Sequence, residues 1–388
     1  MRILLSAQQS LKTHAIPPYK HWREYLVKGL LEEGHEILEV PNVDWAEGLT
    51  YHDRAGIEEW LERTWSATKT FVFAEHEKTP IDLFLSYFYP QQVDTAAIEQ
   101  FQKKGIPCVN FFCDNVRDFT KLPSQFKPFA LHWVPEFEAL PLYKRAALPY
   151  INAPMPCWIP PDVRTVPSVE SEPPTFIGSS DILRQDLLGK AILEGADFLV
   201  RGAGWAQDET ISAAPAQKSE KKSLSTLINN QVSFVKLHGV RGLLQKVDLR
   251  FRPIHPPPIA PSKVGGPVSN SDYVRVTREA SVILGVNRVP LAYRSLRRPL
   301  VYSRLRDLEV PMMGGCYLTE WTQGLEQMYE LGAEIETYRT TEELKDKLDK
   351  LQRDASLRAT MRQKGQRRAL TDHTVGHSVS RIKAQLGI

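Results

Sequence analysis

Apolar residues in the first half of the chain alternate between short continuous runs and helical spacing. The continuous run Ile3 to Leu5 predicts a buried strand, whereas Trp22, Leu26 and Leu30 share one face of a helix that ends at Gly34. The same alternation predicts further strands and one more helix: strands at 35–40, 81–87 and 107–112, and a helix at 96–104. Strands that are apolar on both faces belong in a parallel sheet covered by helices, so the predicted fold class is α/β.

A proline-rich stretch divides the chain. Eight prolines between 148 and 174 exclude a helix interior or a central strand there. The alternation then restarts with a strand at 175–177, a helix at 183–193 and a strand at 198–200. We predict these parts: an N-terminal domain 1–155, a linker 156–174, a C-terminal domain 175–370 with an insertion at 206–267, and a C-terminal helix within 371–388 that packs back towards the first domain.

Size and composition agree with two soluble domains. The chain has 388 residues, and its net charge of +3 is too small to indicate a nucleic-acid partner. Its four cysteines form no CxxC pair and lie in apolar runs, which predicts buried free thiols rather than disulfides or a zinc site: Cys108, Cys113, Cys157 and Cys316. The apolar run at the amino terminus is too short for the core of a signal peptide, and no apolar run in the chain is long enough to span a membrane. We therefore expect a cytoplasmic protein.

The segment 304–338 carries the most informative pattern. Arg306 and Glu309 are three residues apart on a short predicted helix that leads into Gly314 and Gly315. An apolar strand follows and ends on the polar pair Thr319 and Glu320. Polar strand ends line the ligand crevice of an α/β domain, where Arg306 would suit a phosphate and Glu309 ribose hydroxyls. We also predict that Gly314, Gly315, Thr319 and Glu320 bind the nucleotide-sugar donor. A surface ion pair on an ordinary helix is the alternative.

This segment resembles the C-terminal domain of the CgeB-like, spore-maturation type glycosyltransferases of the GT-B superfamily. Their pattern is Arg-x-x-Glu-x-Pro-x-x-Gly-Gly, a strand with a polar end, and then Gly-x-Glu-x-x-x-Tyr. Here these positions are Arg306, Glu309, Pro311, Gly314 and Gly315, followed by Gly332, Glu334 and Tyr338. Ala333 departs from the pattern, which usually has Lys or Arg at that position.

The resemblance implies two Rossmann-like domains facing each other across a cleft, with a nucleotide-sugar donor in the second and the acceptor in the first. The implied reaction transfers a sugar from a nucleoside diphosphate sugar to a hydroxyl of a glycan, lipid-linked or protein acceptor, as in cell-surface glycan biosynthesis. No cofactor or metal is expected, and the sequence has no Asp-x-Asp pair of the kind that metal-dependent sugar transferases use.

Two strand-to-helix turns of the second domain are candidate phosphate sites. Gly178 and Ser179 would present N–H groups at a helix N-terminus, and Arg184 would add charge one turn later. The CgeB-like family has a Gly-Ser turn followed by Arg at this place, and a Gly-x-Gly-Trp after the next strand, which here includes Gly204. A structural tight turn explains the glycines equally well.

An arginine-rich loop follows the strand at 282–286. We expect Arg288 to reach the diphosphate, and Pro299 to be the first residue of the next helix. Arg294, Arg297 and Arg298 belong to the same loop, and solvated arginines would give the same pattern.

Asp114 and His14 are the candidate catalytic residues. Asp114 follows the strand 107–112, and a carboxylate at that position points into the crevice of a parallel sheet. Asp114 would deprotonate the acceptor if the enzyme inverts configuration, and has no such role if it retains. Capping of the next helix is the alternative for Asp114. His14, in the loop after the first strand, faces the same edge unless it is simply solvated.

The segment 217–252 is basic. It has eight basic residues against two acidic ones, a net charge of +6, and Leu237, Val240, Leu243, Leu244 and Val247 mark one helical face. Such a helix can lie on an anionic membrane surface, which would make the protein peripheral at the inner face of the membrane. An insertion packed on the donor domain is the alternative.

Two other functions stay open at this point. A sugar-nucleotide epimerase has the same two-domain shape, but would need several carboxylates and histidines that converge in the cleft. A non-catalytic scaffold with a nucleotide-sugar fold is the other rival, because a fold and a site motif do not guarantee turnover.

Overall fold

The computed structural model describes residues 1–14, 20–51, 53–205, 244, 251–291 and 294–388. The chain forms two compact units: unit 1 comprises Met1–Val163 and Arg367–Ile388, and unit 2 comprises Arg164–Gln366. The predicted assignment of acceptor and donor domains to these parts stays a prediction. Most of the predicted basic segment 217–252 lies outside the described residues.

Unit 1 is built on a six-stranded parallel sheet in the order β2-β1-β3-β4-β5-β6. Its strands are β1 Arg2–Ser6, β2 Glu36–Leu38, β3 Leu83–Ser86, β4 Cys108–Phe111, β5 Leu131–Val134 and β6 Tyr150–Asn152. Every residue of β3, β4 and β5 is buried, as expected for strands covered on both faces. Because β2 and β3 lie on opposite sides of β1, the chain reverses its winding direction between β1 and β3. A ligand crevice of an open α/β sheet lies at such a point.

The helices of unit 1 are α1 Lys20–Glu32, α2 Arg54–Lys78, α3 Thr95–Lys103, α4 Asn115–Asp118 and α5 Leu140–Ala146. Asp53 and Asp94 cap α2 and α3, because each carboxylate accepts a hydrogen bond from a backbone N–H of the first turn. The long helix α2 has no counterpart in the sequence prediction.

Unit 2 contains a five-stranded parallel sheet in the order β13-β12-β9-β7-β8. Its strands are β7 Thr175–Ile177, β8 Leu199–Arg201, β9 Ile283–Gly285, β12 Tyr317–Glu320 and β13 Glu336–Tyr338. A two-stranded antiparallel ribbon, β10 Arg288–Val289 with β11 Leu300–Val301, follows β9. Pro299 therefore precedes a strand, and the prediction that it begins a helix is wrong.

The helices that the structure describes in unit 2 are α6 Ile182–Leu193, α7 Asn270–Glu279, α8 Arg306–Met312, α9 Leu325–Met328 and α10 Thr341–Arg353. Helix α11, Ala355–Asp372, begins in unit 2 and ends in unit 1, and α12, Val375–Leu386, belongs to unit 1. In α10 the buried stripe is Leu344, Leu348 and Leu351, as its spacing predicts, with Thr340 as the N-cap. Helix α12 packs on α1, β5 and β6, where Gly29 of α1 meets Val375.

All four cysteines are buried and none is in a disulfide, as predicted. Among the described helices, none has the length and apolar content that crossing a membrane requires.

Candidate functional site

The carboxyl ends of β7, β8 and β9 bring three loops of unit 2 together. Since β8 and β9 lie on opposite sides of β7, the winding direction of this sheet also reverses here, next to Gly178 and Ser179. Gly202, with a φ of 134°, lies so close to the Gly178 carbonyl that a Cβ would approach its oxygen to 2.3 Å. The Trp205 indole N–H donates to the same carbonyl over 2.6 Å. Two loops are thereby locked side by side.

Arg184 lies on the first turn of α6 and folds back onto the loop that follows β7. Its Nη1 donates to the Ser179 carbonyl over 2.8 Å and to Ser179 Oγ over 3.2 Å. Burial lowers the pKa of Arg184 from its usual value; Asp181 opposes this, and the positive charges of Arg304 and Arg306 lower the pKa further. Three arginines from two segments of the chain therefore concentrate positive charge at one place, which favours an anionic ligand.

Glu309 and Arg306 meet on one residue of another helix. Tyr273 of α7 donates its hydroxyl hydrogen to Glu309 Oε2 over 2.8 Å. The Arg306 guanidinium lies over the ring of the same tyrosine, 4.7 Å from its centre. Tyr273 therefore orients both predicted donor ligands, one through a hydrogen bond and the other through a cation–π contact.

Asp307, which lies between these two ligands in the sequence, is a fully buried polar centre. Its carboxylate accepts hydrogen bonds from three hydroxyls, one backbone N–H and one amide: Tyr317 at 2.8 Å, Ser303 at 2.8 Å, Thr319 at 3.1 Å, the Arg304 N–H at 3.0 Å and Asn287 at 3.2 Å. Burial raises the pKa of Asp307, although these donors oppose the shift. The network joins the start of α8 to β9 and β12, and so holds the helix that carries Arg306 and Glu309.

Arg288 and Glu320, which are both predicted to bind the nucleotide-sugar, form an ion pair with each other. Arg288 Nε donates to Glu320 Oε1 over 2.9 Å, and the backbone N–H groups of Asn287 and Arg288 donate to Oε2 over 3.1 and 3.2 Å. The Glu320 carboxylate thus already accepts hydrogen bonds from N–H groups within the protein. Thr319 is fully buried and donates to Asp307. These positions favour a supporting role for Thr319 and Glu320 over a direct contact with a nucleotide-sugar.

Gly314 and Gly315 lie at the other edge of the sheet from the loops described above. They join the end of α8 to the start of β12, whereas Gly178 and Ser179 follow the end of β7. Gly314 has a φ of 74°, and a Cβ on Gly315 would approach Val310 Cγ1 to 2.7 Å. Both glycines therefore serve a tight turn, and their place argues against the predicted donor contact. Gly204, with a φ of 79°, is at the expected edge.

In unit 1, His14 lies close to a carboxylate that the sequence reasoning missed. His14 Nε2 is 2.9 Å from Asp44 Oδ2, and the side chains are only 8% and 4% exposed. Asp44 also accepts from the backbone N–H of Leu11 over 3.0 Å and of Glu47 over 2.9 Å. A histidine held by a fixed carboxylate is the arrangement of a general base with its orienting partner. His14 follows β1, at the point where the winding direction reverses.

Asp114 lies after β4, at the same edge of the sheet as His14. It occupies the position before the first residue of α4, yet its side chain makes no capping hydrogen bond there. The next residue, Asn115, donates to Glu136 Oε2 over 2.6 Å and accepts from the Tyr143 hydroxyl over 2.7 Å. Burial raises the pKa of Glu136 well above its usual range, and Asp114 and Glu138 add to the shift. The segment that bears Asp114 is therefore fixed by a buried network.

The sequence model of the glycosyl transferase-like family matches residues 184–384. The chain belongs to this family. The match begins at Arg184 and includes α8 with Arg306 and Glu309. Membership favours the transferase over the epimerase and scaffold alternatives. No curated protein matches the sequence of this glycosyltransferase.

Solved structures show that the glycosyltransferase has the GT-B fold along its whole length. Sucrose-phosphate synthase (tll1590) from Thermosynechococcus elongatus is similar with a TM-score of 0.57 and 13% identity, over 99% of this chain and 98% of that chain. Anabaena Alr3699/HepE in complex with UDP-glucose gives a TM-score of 0.58 and 10% identity, over 100% and 99%. A glycosyltransferase from Rickettsia africae ESF-5 gives 0.55 and 11%, over 99% and 97%. The predicted fold class is thereby confirmed.

The sequence reasoning missed several residues of these networks, including Asp44, Tyr273, Asn287 and Asp307. Asn287 could have been predicted from the sequence, because it is a polar residue directly after a buried strand, as Asp114 is. Tyr273 and Asp307 had none, since their partners come from distant segments.

Proposed function

We propose that this glycosyltransferase moves a sugar from a nucleoside diphosphate sugar, held by unit 2, to a hydroxyl of an acceptor held by unit 1. The observation that carries the proposal is the pair on α8 that Tyr273 holds in place: Glu309, which would bind ribose hydroxyls, and Arg306, which would bind phosphate. In its motif order the chain is similar to the CgeB-like subgroup, and we propose that it belongs there.

The three clustered arginines support a reaction without a metal. The charge that develops on the leaving diphosphate would be balanced by Arg184, Arg304 and Arg306. Guanidinium groups suit this task because their planar forks bind phosphate oxygens in pairs.

Two side chains of unit 1 are candidates for the base that deprotonates the acceptor. His14 is oriented by Asp44, and Asp114 lies at the end of a buried strand. Either would serve an inverting enzyme, whereas a retaining enzyme needs neither. The acceptor is a glycan, a lipid-linked molecule or a protein.

A thermal-shift comparison of UDP, GDP, ADP, CMP and dTDP, with and without EDTA, tests the donor site. UDP comes first, because a structurally similar protein, Anabaena Alr3699/HepE, was solved in complex with UDP-glucose. We expect one nucleoside diphosphate to raise the melting temperature, to the same extent with chelator. The Glu309→Ala variant should lose the shift, and Glu326→Ala, an exposed glutamate of unit 2, should keep it. No shift with any nucleotide would contradict the proposed donor site, and a shift that EDTA removes would contradict only its metal independence.

A further inference from the structure

Unit 1 contains a cavity of about 480 Å³ that none of the predicted site residues lines. One wall is the loop 120–127 between α4 and β5, and the other is helix α5 with Leu148 after it. The volume lies within the range of small-molecule sites in proteins, roughly 300–1,000 Å³.

The inside of this cavity is apolar. Leu122, Leu142 and Leu148 line it, and they belong to a hydrophobic cluster that continues beneath the cavity through Val134 and Tyr143. Leu142 and Leu148 are only half-buried, so the cluster remains open on this side. An apolar cavity open to water gains free energy when a hydrocarbon chain fills it.

The rim of the cavity is basic. Lys121 and Lys127 lie on the loop wall and Arg145 on the helix wall, and all three are exposed. No aspartate or glutamate lines the cavity. Within the part of the chain that the structure describes, none of these three side chains has a carboxylate at ion-pair distance. Three cations therefore surround one apolar opening without a counter-charge from the described residues.

We propose that this cavity binds a single-chain anionic amphiphile, whose hydrocarbon chain enters between Leu122, Leu142 and Leu148 and whose phosphate or carboxylate head pairs with the basic rim. A neutral apolar ligand would leave the three positive charges of the rim without a counter-charge, and a small anion would leave the apolar interior unfilled. Only a ligand with both parts matches both halves of the site. The inference does not depend on the donor site in unit 2.

Titration calorimetry of the full-length protein with dodecyl phosphate, below the concentration at which it forms micelles, tests the site. We expect saturable binding of dodecyl phosphate at one site. Inorganic phosphate probes the basic rim alone, and the uncharged dodecyl maltoside probes the apolar interior alone. Each should bind at least about tenfold more weakly than dodecyl phosphate, because the first lacks the hydrocarbon chain and the second lacks the charge. Absence of dodecyl phosphate binding would overturn the proposal.

Two kinds of variant separate the charge from the cavity. The triple variant Lys121→Gln, Lys127→Gln, Arg145→Gln should weaken binding about a hundredfold, at about fivefold for each charge. The matched control Lys103→Gln, Lys104→Gln, Lys144→Gln removes equal charge from exposed positions of unit 1 outside the cavity, and should bind normally. Ala146→Trp places a large side chain at the exposed lining position of α5 and should block the chain while leaving the rim charges. Equal losses in both triple variants, or normal binding by Ala146→Trp, would overturn the assignment.

Vesicles identify the source of the amphiphile. We would compare sedimentation of the protein with phosphatidylcholine vesicles and with vesicles that also contain phosphatidylglycerol. Sedimentation only with the anionic vesicles, lost in the cavity-rim triple variant, would assign a bilayer lipid. Binding of dodecyl phosphate without sedimentation would assign a soluble amphiphile of the same chemistry.

Discussion

The hydroxyl of Tyr273 donates to Glu309 Oε2 over 2.8 Å, while the ring of Tyr273 lies 4.7 Å from the Arg306 guanidinium. One side chain from α7 thus fixes two side chains of α8 that the sequence pattern indicates as ligands. The separation between a predicted phosphate ligand and a predicted ribose ligand is set by a residue that need not touch the nucleotide.

Tyr273→Phe removes the hydrogen bond to Glu309 and retains the ring beneath Arg306. We expect nucleotide affinity to fall about tenfold, since a hydrogen bond to a charged group contributes roughly 1.5–3 kcal/mol. Tyr273→Leu, which also removes the ring, should lose more. Calorimetric titration of the nucleotide identified by thermal shift measures both. If Tyr273→Phe bound as tightly as the unaltered protein, Tyr273 would not position Glu309 for the nucleotide.

The roles of Asp114 and His14 can be separated by the turnover rates of their variants. If Asp114 is the base, Asp114→Asn should lower kcat by about a hundredfold or more with little change in donor affinity. If His14 is the base, His14→Gln should do so instead. Asp44→Asn should then lower kcat as well, because the imidazole loses the carboxylate that fixes its orientation. Normal kcat in both His14→Gln and Asp114→Asn would favour a retaining reaction.

Buried His132 makes the stability of the protein depend on pH. Burial lowers its pKa to about 4, whereas the unfolded value is about 6.5. Between these values only the unfolded chain binds this proton, so the free energy of unfolding falls as the pH drops from about 6.5 towards 4. The contribution is at most about 1.4 kcal/mol per pH unit, and about 3 kcal/mol in all.

Urea unfolding at a series of pH values across this window measures the effect. His132→Gln retains a group that can donate to the Phe126 carbonyl, which His132 Nε2 contacts at 3.0 Å. The variant should show a flatter dependence on pH. An unchanged slope would mean that His132 is not the group that titrates.

Ala147 ends α5 in the left-handed region, with a φ of 51°. Glycine is the residue that adopts this conformation at a helix end without steric cost, so Ala147→Gly should stabilise the protein by about 1 kcal/mol. Ala146→Gly, one residue earlier and within α5, should instead destabilise it by about 0.5–1 kcal/mol. Thermal or urea unfolding of the two variants gives opposite signs if the cause is backbone conformation. Equal signs would contradict it.

The strand pattern was largely readable from the sequence. Each predicted strand overlaps one that the structure contains, because continuous apolar runs between turns are the pattern of a parallel sheet. Helix α2 was missed for a physical reason. Its buried positions include Thr64 and Thr68 beside Trp60, Trp65 and Val72, so its buried face is not uniformly apolar.

The site could be predicted only where the chemistry lies within one segment. Arg306 and Glu309 are readable from their spacing, but Asp307 between them resembles a solvated helix residue. Its burial depends on donors from Ser303, Asn287, Tyr317 and Thr319, which meet only when β9, β12 and α8 pack. The His14 and Asp44 pair likewise joins loops after two different strands.

Unit 2 interrupts unit 1 in the chain, because residues 367–388 return to unit 1 and α12 packs on α1, β5 and β6. During synthesis, all of the chain 164–366 leaves the ribosome before the last part of unit 1 does. Domains usually fold in the order in which they emerge. Here the unit that begins first is completed last, so a nascent chain would hold a finished unit 2 while unit 1 still awaits α12.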